Sequence, residues 1–155
     1  MLVVVPELPP AAAEPIGLQL ARSAKAVSRA FDDALVGGGG SLPIWLVLVS
    51  LRSAHSGMQR DLAAAVGIEG PTLTHHLNRM ESAGLVTRTR DAANRRIHRV
   101  ELTPDGEALF HRLLQVVIAF DRRLRAGVSD DEVAVLGDLL GRLRANVAGA
   151  KEVAP

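Results

Sequence analysis

Apolar residues recur at helical intervals through the first part of the chain. From Pro15 to about Val36 they fall three or four residues apart, which is the spacing of one stripe along an amphipathic helix. The stripe consists of Leu20, Ala24, Val27, Phe31 and Ala34. Four consecutive glycines, 37–40, are predicted to end this helix because glycine favours helix termination.

Three further helices are predicted before the period changes. The segment from Leu42 to Ala54 is apolar nearly all round, so we expect it to be the buried centre of the domain, with Ser41 as its N-cap. A short helix over 58–66 follows it. A fourth helix is predicted over about 71–83, and the proline at its start suits a first turn.

Alternation of apolar and polar residues then replaces the helical period. The sequences LVTRTR and IHRVELT alternate as strands do, and the polar DAANRR between them predicts a hairpin over about 85–102. Thr103 precedes a long helix that is predicted to run to about Ala126. The sequence SDDE at 129–132 is a capping box that begins a last helix, which ends near Ala148. The predicted fold class is therefore mainly α with a small β-hairpin.

The third and fourth predicted helices have the spacing of a helix-turn-helix. Ala63 is a small residue in the first helix, Gly67 forms the turn, and Leu73 anchors the second helix. A hairpin follows directly. This combination predicts a winged helix-turn-helix over 41–103, in which the recognition helix enters the major groove and the wing touches the adjacent DNA.

Helical geometry divides the recognition helix into two faces. At about 100° per residue, Leu73, Leu77 and Met80 lie together on the side predicted to be buried. His75 lies opposite them and His76 lies on the shoulder, so the two imidazoles cannot easily bind one metal ion, and no metal site is predicted. For His75 the alternative to a DNA contact is an ordinary exposed histidine. The residues of this helix that we predict to contact DNA are Pro71, Thr72, Thr74, His75 and Arg79.

Basic charge is concentrated beside the recognition helix. Between residues 79 and 99, six arginines face two acids, a net charge of +4, whereas the whole chain carries only +1. This distribution favours contact with a nucleic-acid backbone. For Arg79 we expect a phosphate contact, and the alternative is an ion pair with Glu81 or another nearby acid.

Composition excludes several other classes of function. The chain has no cysteine, which rules out disulfides and thiol chemistry and suits the reducing cytoplasm in which we expect it. Residues 1–14 are predicted to be a flexible arm and 149–155 a tail, and no run reaches the roughly 20 apolar residues of a membrane span. No phosphate-binding loop, nucleophile elbow or metalloprotease motif occurs, so neither an enzyme nor a cofactor is predicted.

The segment DLAAAVGIEGPTLTHHLNRMESAGLVTRTRDAANRRIHRVELTPDGEAL resembles the MarR (multiple antibiotic resistance regulator) family of winged-helix transcription factors. Its most specific parts are GLVTR, after the recognition helix, and the wing pattern that ends in LTPDG. The similarity covers about 16–148. It implies a homodimer, built from dimerisation helices in 15–40 and 104–148, that binds double-stranded DNA at a pseudo-palindromic operator.

The resemblance also assigns roles within the wing. It implies that Arg95 enters the minor groove and that Arg96 is the second wing arginine, which an acid usually holds. Asn94 stands where that acid would be, so this charge-assisted bond is missing and we expect a wing that is held less tightly. Thr72 and His75 occupy positions at which family members touch bases, and His75 stands where arginine is common.

The last predicted helix is consistent with a dimer. Its apolar residues recur at helical spacing, and such a stripe is typical either of an interface or of intrachain core. The residues are Val133, Leu136, Leu139, Leu140, Leu143 and Val147. If both ends of the chain pack across an interface, stability of the monomer is inseparable from dimerisation.

The resemblance further implies a small anionic or phenolic effector and a repressor that such a ligand releases. Trp45, the sole tryptophan, is a candidate pocket wall, with a core position as the alternative. Arg22, Lys25 and Arg29 lie three and four residues apart and could receive an anion, although such a row is also typical of a solvated face. The alternative function is a winged helix that serves as a protein-interaction or dimerisation module without specific DNA binding.

Overall fold

The computed structural model describes residues 14–53, 59–90 and 98–148 of the chain. Within these ranges the elements follow the predicted order, and the predicted fold class is confirmed. They are α1 (Ile16–Gly37), α2 (Leu42–Ser53), α3 (Gln59–Val66), α4 (Gly70–Ser82), β1 (Val86–Arg90), β2 (His98–Leu102), α5 (Pro104–Leu124) and α6 (Asp130–Ala148). Arg95 and Arg96, most of the predicted arm, and the tail lie outside the described residues.

The chain forms two compact units that divide inside α5, between Val117 and Ile118. The first unit holds α1 to α4, the hairpin and the beginning of α5, and the second holds the end of α5 and α6. The beginning of α5 stays with the first unit because Leu109 and Leu113 are buried in its core.

The core of the first unit gathers around α2. This helix packs against α1, α3, α4 and β2. Val47 and Leu48 are fully buried, and its other apolar residues are half-buried, as expected for a helix that is apolar nearly all round. The predicted cap is present, because the Ser41 hydroxyl accepts a hydrogen bond from the backbone N–H of Ile44 at 3.4 Å.

The four-glycine turn between α1 and α2 is fixed by packing. Gly39 has a φ of +87°, which side-chain-bearing residues rarely adopt. A Cβ at Gly38 or at Gly40 would lie 2.9 or 2.5 Å from the side chain of Leu113, on α5. Arg112 Nε donates to the Gly38 carbonyl at 2.9 Å. These glycines therefore end α1 and also let α5 approach the turn.

A second close approach joins the hairpin to α5. The Thr103 hydroxyl accepts a hydrogen bond from the N–H of Gly106 at 3.1 Å, which confirms Thr103 as the cap, and donates to the Gly84 carbonyl at 2.5 Å. A Cβ at Gly106 would overlap the carbonyl oxygen of Leu85. The absence of a side chain at Gly106 thus allows the first turn of α5 to pack directly against the backbone that links α4 to β1.

In the second unit, α6 begins with the predicted capping box. The backbone N–H of Ser129 donates to Glu132 Oε2 at 2.8 Å, and the Ser129 hydroxyl accepts from the N–H of Glu132 at 3.2 Å. These hydrogen bonds lower the pKa of the Glu132 carboxyl. Within the described ranges, no single helix is long and apolar enough to cross a membrane. Of the described helices, only α1 and α2 taken together, with a bend of 76° between them, have the length and composition of a span.

Candidate nucleic-acid interface

The two faces of α4 are disposed as the helical period predicts. Leu73 and Leu77 are completely buried, and Met80 is 1% exposed. The opposite side is exposed, and we call it the outward row. The outward row consists of Pro71, Thr72, His75 and Arg79. Because three apolar side chains anchor α4 in the core, this row is presented on a helix that is held in place.

Arg79 is an exposed cation of the outward row. Its side chain is exposed, and it makes no ion pair with the residues that the structure describes, including the nearby Glu81. An exposed guanidinium of this kind is suited to a phosphate contact.

The neighbouring histidines are in different environments. His75 is exposed, whereas His76 is half-buried, and their rings meet edge to face with centroids 5.8 Å apart. Burial, and then the proximity of His75 and Arg79, lower the pKa of His76. The described residues contain no group of three or more side chains able to hold a metal ion. The pair is thus one exposed and one shoulder residue, as the helical angles indicated.

Thr74 differs from the other predicted contacts because its hydroxyl already has partners in the protein. It donates to the Gly70 carbonyl at 3.0 Å and accepts a hydrogen bond from Gln59 Nε2 at 2.9 Å. Gln59 lies at the start of α3, so this bond ties the first helix of the helix-turn-helix to the second. This role of Gln59 could not be predicted from the sequence, because a single glutamine gives no indication of its hydrogen-bond partner.

One arginine of the basic segment is not a free cation. Arg88 is half-buried and pairs with Glu81, with Asn78 as a second acceptor. Arg90 and Arg99 are exposed on the hairpin. Simple counting along the sequence could not separate these cases, because Glu81 and Arg88 meet only after the chain turns between α4 and β1.

The candidate effector residues are distributed over two environments. Trp45 is half-buried and stacks on Phe110 of α5, with ring centroids 5.7 Å apart and planes 10° from parallel. Phe110 also contacts Arg52, whose guanidinium lies 5.4 Å from the Phe110 centroid and 3.3 Å from Glu107. Trp45 therefore packs against the core, as the alternative interpretation had it, while part of its surface stays accessible.

The three cations of α1 form an exposed row. Arg22, Lys25 and Arg29 are all exposed, and Arg22 pairs with Glu14 at 2.5 Å. Within the described residues, no hydrogen bond, ion pair or ring contact joins this row to Trp45.

Comparison with known proteins identifies relatives of this winged helix. The sequence profile of the MarR family matches residues 41–98. Among solved structures, transcriptional regulator PA3341 is 33% identical, with a TM-score of 0.70, over 87% of this chain and 99% of that one. These matches cover the helix-turn-helix and extend well beyond it.

Two similar structures contain DNA. The transcriptional repressor CouR, bound to a 23-mer DNA duplex, is 26% identical, with a TM-score of 0.77, over 90% of this chain and 99% of that one. CouR from Rhodococcus jostii RHA1 is also known bound to p-coumaroyl-CoA. A mutant MarR from E. coli, complexed with operator DNA, is 26% identical, with a TM-score of 0.74, over 83% of this chain and 93% of that one.

Proposed function

The chain belongs to the MarR family of DNA-binding transcriptional regulators, and from this premise we propose that it is a homodimeric repressor of a pseudo-palindromic operator. The single observation that carries the proposal is the outward row of α4. Its exposed groups include His75 and Arg79, and they lie opposite a helix face that the core covers completely. A rigid recognition helix of this kind fits the major groove.

Within the groove we assign different roles to the outward row. Thr72 and His75 contact base edges, Pro71 packs beside them, and Arg79 contacts phosphate. Thr74 helps to hold α4 against α3, since its hydroxyl is engaged by Gly70 and Gln59. The division follows from exposure, because only a side chain without internal partners can form new hydrogen bonds at no internal cost.

The wing supplies the second contact. We propose that Arg95 enters the minor groove and that Arg96 supports it at the DNA backbone, a role that follows from family membership and from the basic sequence of the segment. Arg90 and Arg99, exposed on the hairpin, lead toward this segment. Asn94 in place of an acid is expected to weaken the hold on Arg96.

Dimerisation is proposed from apolar surface that this chain does not cover. In α1, residues 15–29 are exposed, including Ile16 and Val27. In α6 no residue is buried, and Leu136 is 52% exposed and Leu139 45%. A second copy of the chain is the occupant that we propose, because helices at both chain ends carry such surface and a symmetric pair would cover it twice.

We further propose that a small anionic or phenolic compound releases the DNA. The relative CouR, which binds p-coumaroyl-CoA, supports this class of effector. Trp45 would contact an aromatic ligand at its accessible edge, and Arg22, Lys25 and Arg29 would receive an anion. Because Trp45 is the only tryptophan, quenching of its fluorescence by added phenolic acids or their thioesters would report binding, with Trp45→Phe as the control.

The decisive experiment is a salt titration of operator binding. A duplex selected from a random pool by the purified protein is titrated by fluorescence anisotropy at several salt concentrations. Log affinity should fall linearly with log salt, since phosphate contacts release counterions. A protein that selects no duplex at low salt would instead support the alternative, an interaction or dimerisation module. We expect the protein to act in the cytoplasm.

A further inference from the structure

A side-chain cluster outside the outward row joins the hairpin to the recognition helix. Arg88, on β1, donates from Nε and Nη2 to Glu81 Oε2 at 2.9 and 2.5 Å, and from Nη2 to Asn78 Oδ1 at 2.6 Å. Both acceptors belong to α4. We propose that these three residues, the clamp, position the wing hairpin against the recognition helix for joint binding to one operator; this rests on the function proposed above.

Strand geometry turns Arg88 toward the protein. Side chains two residues apart in a strand share a face, so Arg88 lies on the face of Val86, which is 1% exposed. Thr87 and Thr89, on the other face, are exposed. Only 19% of the Arg88 side chain is accessible. The guanidinium is therefore directed at α4, where Nε and Nη2 donate to Glu81 and Asn78, rather than outward to a ligand.

The clamp restrains direction as well as distance. Asn78 and Glu81 are three residues apart and thus neighbours on one face of α4. A guanidinium is planar and delocalised, so its hydrogen bonds to two acceptors fix its orientation. The backbone connects α4 to β1 through Gly84, whereas Arg88 acts further along the strand, toward the wing. It is placed to set the angle at which the hairpin leaves the helix.

This assignment changes the electrostatic interpretation of the segment. If Arg88 served as a DNA cation, Glu81 would oppose it, and removing that carboxylate would strengthen binding to any duplex. If Arg88 positions the wing, the same change loosens the hairpin and weakens binding to the operator specifically. The two roles therefore predict opposite signs for one substitution.

The test is Glu81→Gln, measured on the selected operator and on an unrelated duplex of equal length. We expect operator affinity to fall about tenfold or more, the scale of a lost charge-assisted hydrogen bond. Affinity for the unrelated duplex should stay equal or rise, because the protein has lost a negative charge. The matched control is Glu101→Gln, which removes an exposed carboxylate from β2 of the same hairpin. It should not weaken operator binding.

Arg88→Lys provides a second, charge-conserving test. It keeps the cation but loses the planar group that reaches both Glu81 and Asn78, so we expect weaker operator binding than in the wild type with an unchanged response to the unrelated duplex. Footprinting should show lost protection where the wing lies and retained protection under α4. Thermal unfolding of each variant verifies that it is folded.

Three results would overturn the clamp. The first is Glu81→Gln binding the operator as tightly as the wild type, or more tightly. The second is an equal loss on both duplexes, which indicates general destabilisation. The third is loss of protection along the whole operator. Each is distinct from failure of the proposed function, in which the wild type itself selects no duplex; that outcome would overturn both proposals.

Discussion

The recognition helix α4 and the last helix α6 are both amphipathic, yet only α4 has its apolar face buried within this chain. In α4 the apolar stripe is fully covered, or sealed, and Leu77 is completely buried in the core. In α6 the stripe remains open, and Leu136 and Leu139 are about half exposed. In both helices apolar residues recur three or four positions apart.

This difference shows that periodicity specifies a face but not what covers it. The stripe of α4 meets α2, α3 and β1, which come from nearby in the same unit. The stripe of α6 is long and regular, but none of its residues is buried. If a second chain covers it, the same kind of sequence pattern stabilises the fold in one helix and the assembly in the other.

The largest expected effect comes from creating a cavity under α4. Leu77→Ala should lower the free energy of unfolding by about 2–5 kcal/mol, because a fully buried side chain is lost and its surroundings relax only partly. Chemical denaturation of the purified protein measures this, at a fixed protein concentration because the proposed dimer would contribute to stability. Thr87→Ala, at an exposed position of β1 outside the proposed dimer surface, is the comparison. Equal losses would contradict the interpretation of the α4 stripe as sealed core.

Substitutions in the exposed stripe of α6 should weaken association between chains rather than the fold of each chain. Leu136→Asp combined with Leu139→Asp places carboxylates on the proposed interface, where burying them without partners is costly. We expect the dimer dissociation constant to rise about a hundredfold or more, with operator affinity falling alongside it. Sedimentation equilibrium measures the assembly, and circular dichroism should show that helices persist. Asp138→Asn, exposed on the same helix, is the matched control; a dimer unaffected by the double change would place the interface elsewhere.

The same contrast explains which features were predictable from the sequence. Local patterns were sufficient for the faces of α4 and for the capping box of Ser129 and Glu132, since their partners lie within one or two helical turns. Contacts between distant segments were not predictable. Trp45 stacks on Phe110, and Arg88 meets Glu81 only across a turn. Such contacts depend on how elements pack, which no residue spacing encodes.

The outer face of α4 should respond without loss of stability. Arg79→Ala is expected to weaken binding to all duplexes similarly and to lower the salt slope by about 1, as removal of one phosphate contact does. His75→Ala should mainly change which bases the protein selects, because a base contact contributes specificity. Anisotropy titrations and repeated selection from random duplexes measure the two effects. Identical base preference with and without the His75 side chain would contradict the proposed contact between His75 and the bases.

The smallest effect concerns His76, which lies between the sealed and the outward face. Because its pKa is lowered on folding, the native state binds fewer protons than the unfolded state as pH falls below the ordinary value of 6.5. Its contribution to stability is therefore complete above that pH and is lost as pH falls toward and through the lowered pKa. Denaturant midpoints between pH 7.5 and 5 should decline less in His76→Gln than in wild type, by a small amount since the ring is only half-buried. Gln115→Ala, at an exposed and non-titrating position of α5, should keep the wild-type decline. Matching curves for wild type and His76→Gln would mean that protonation of His76 is not coupled to folding.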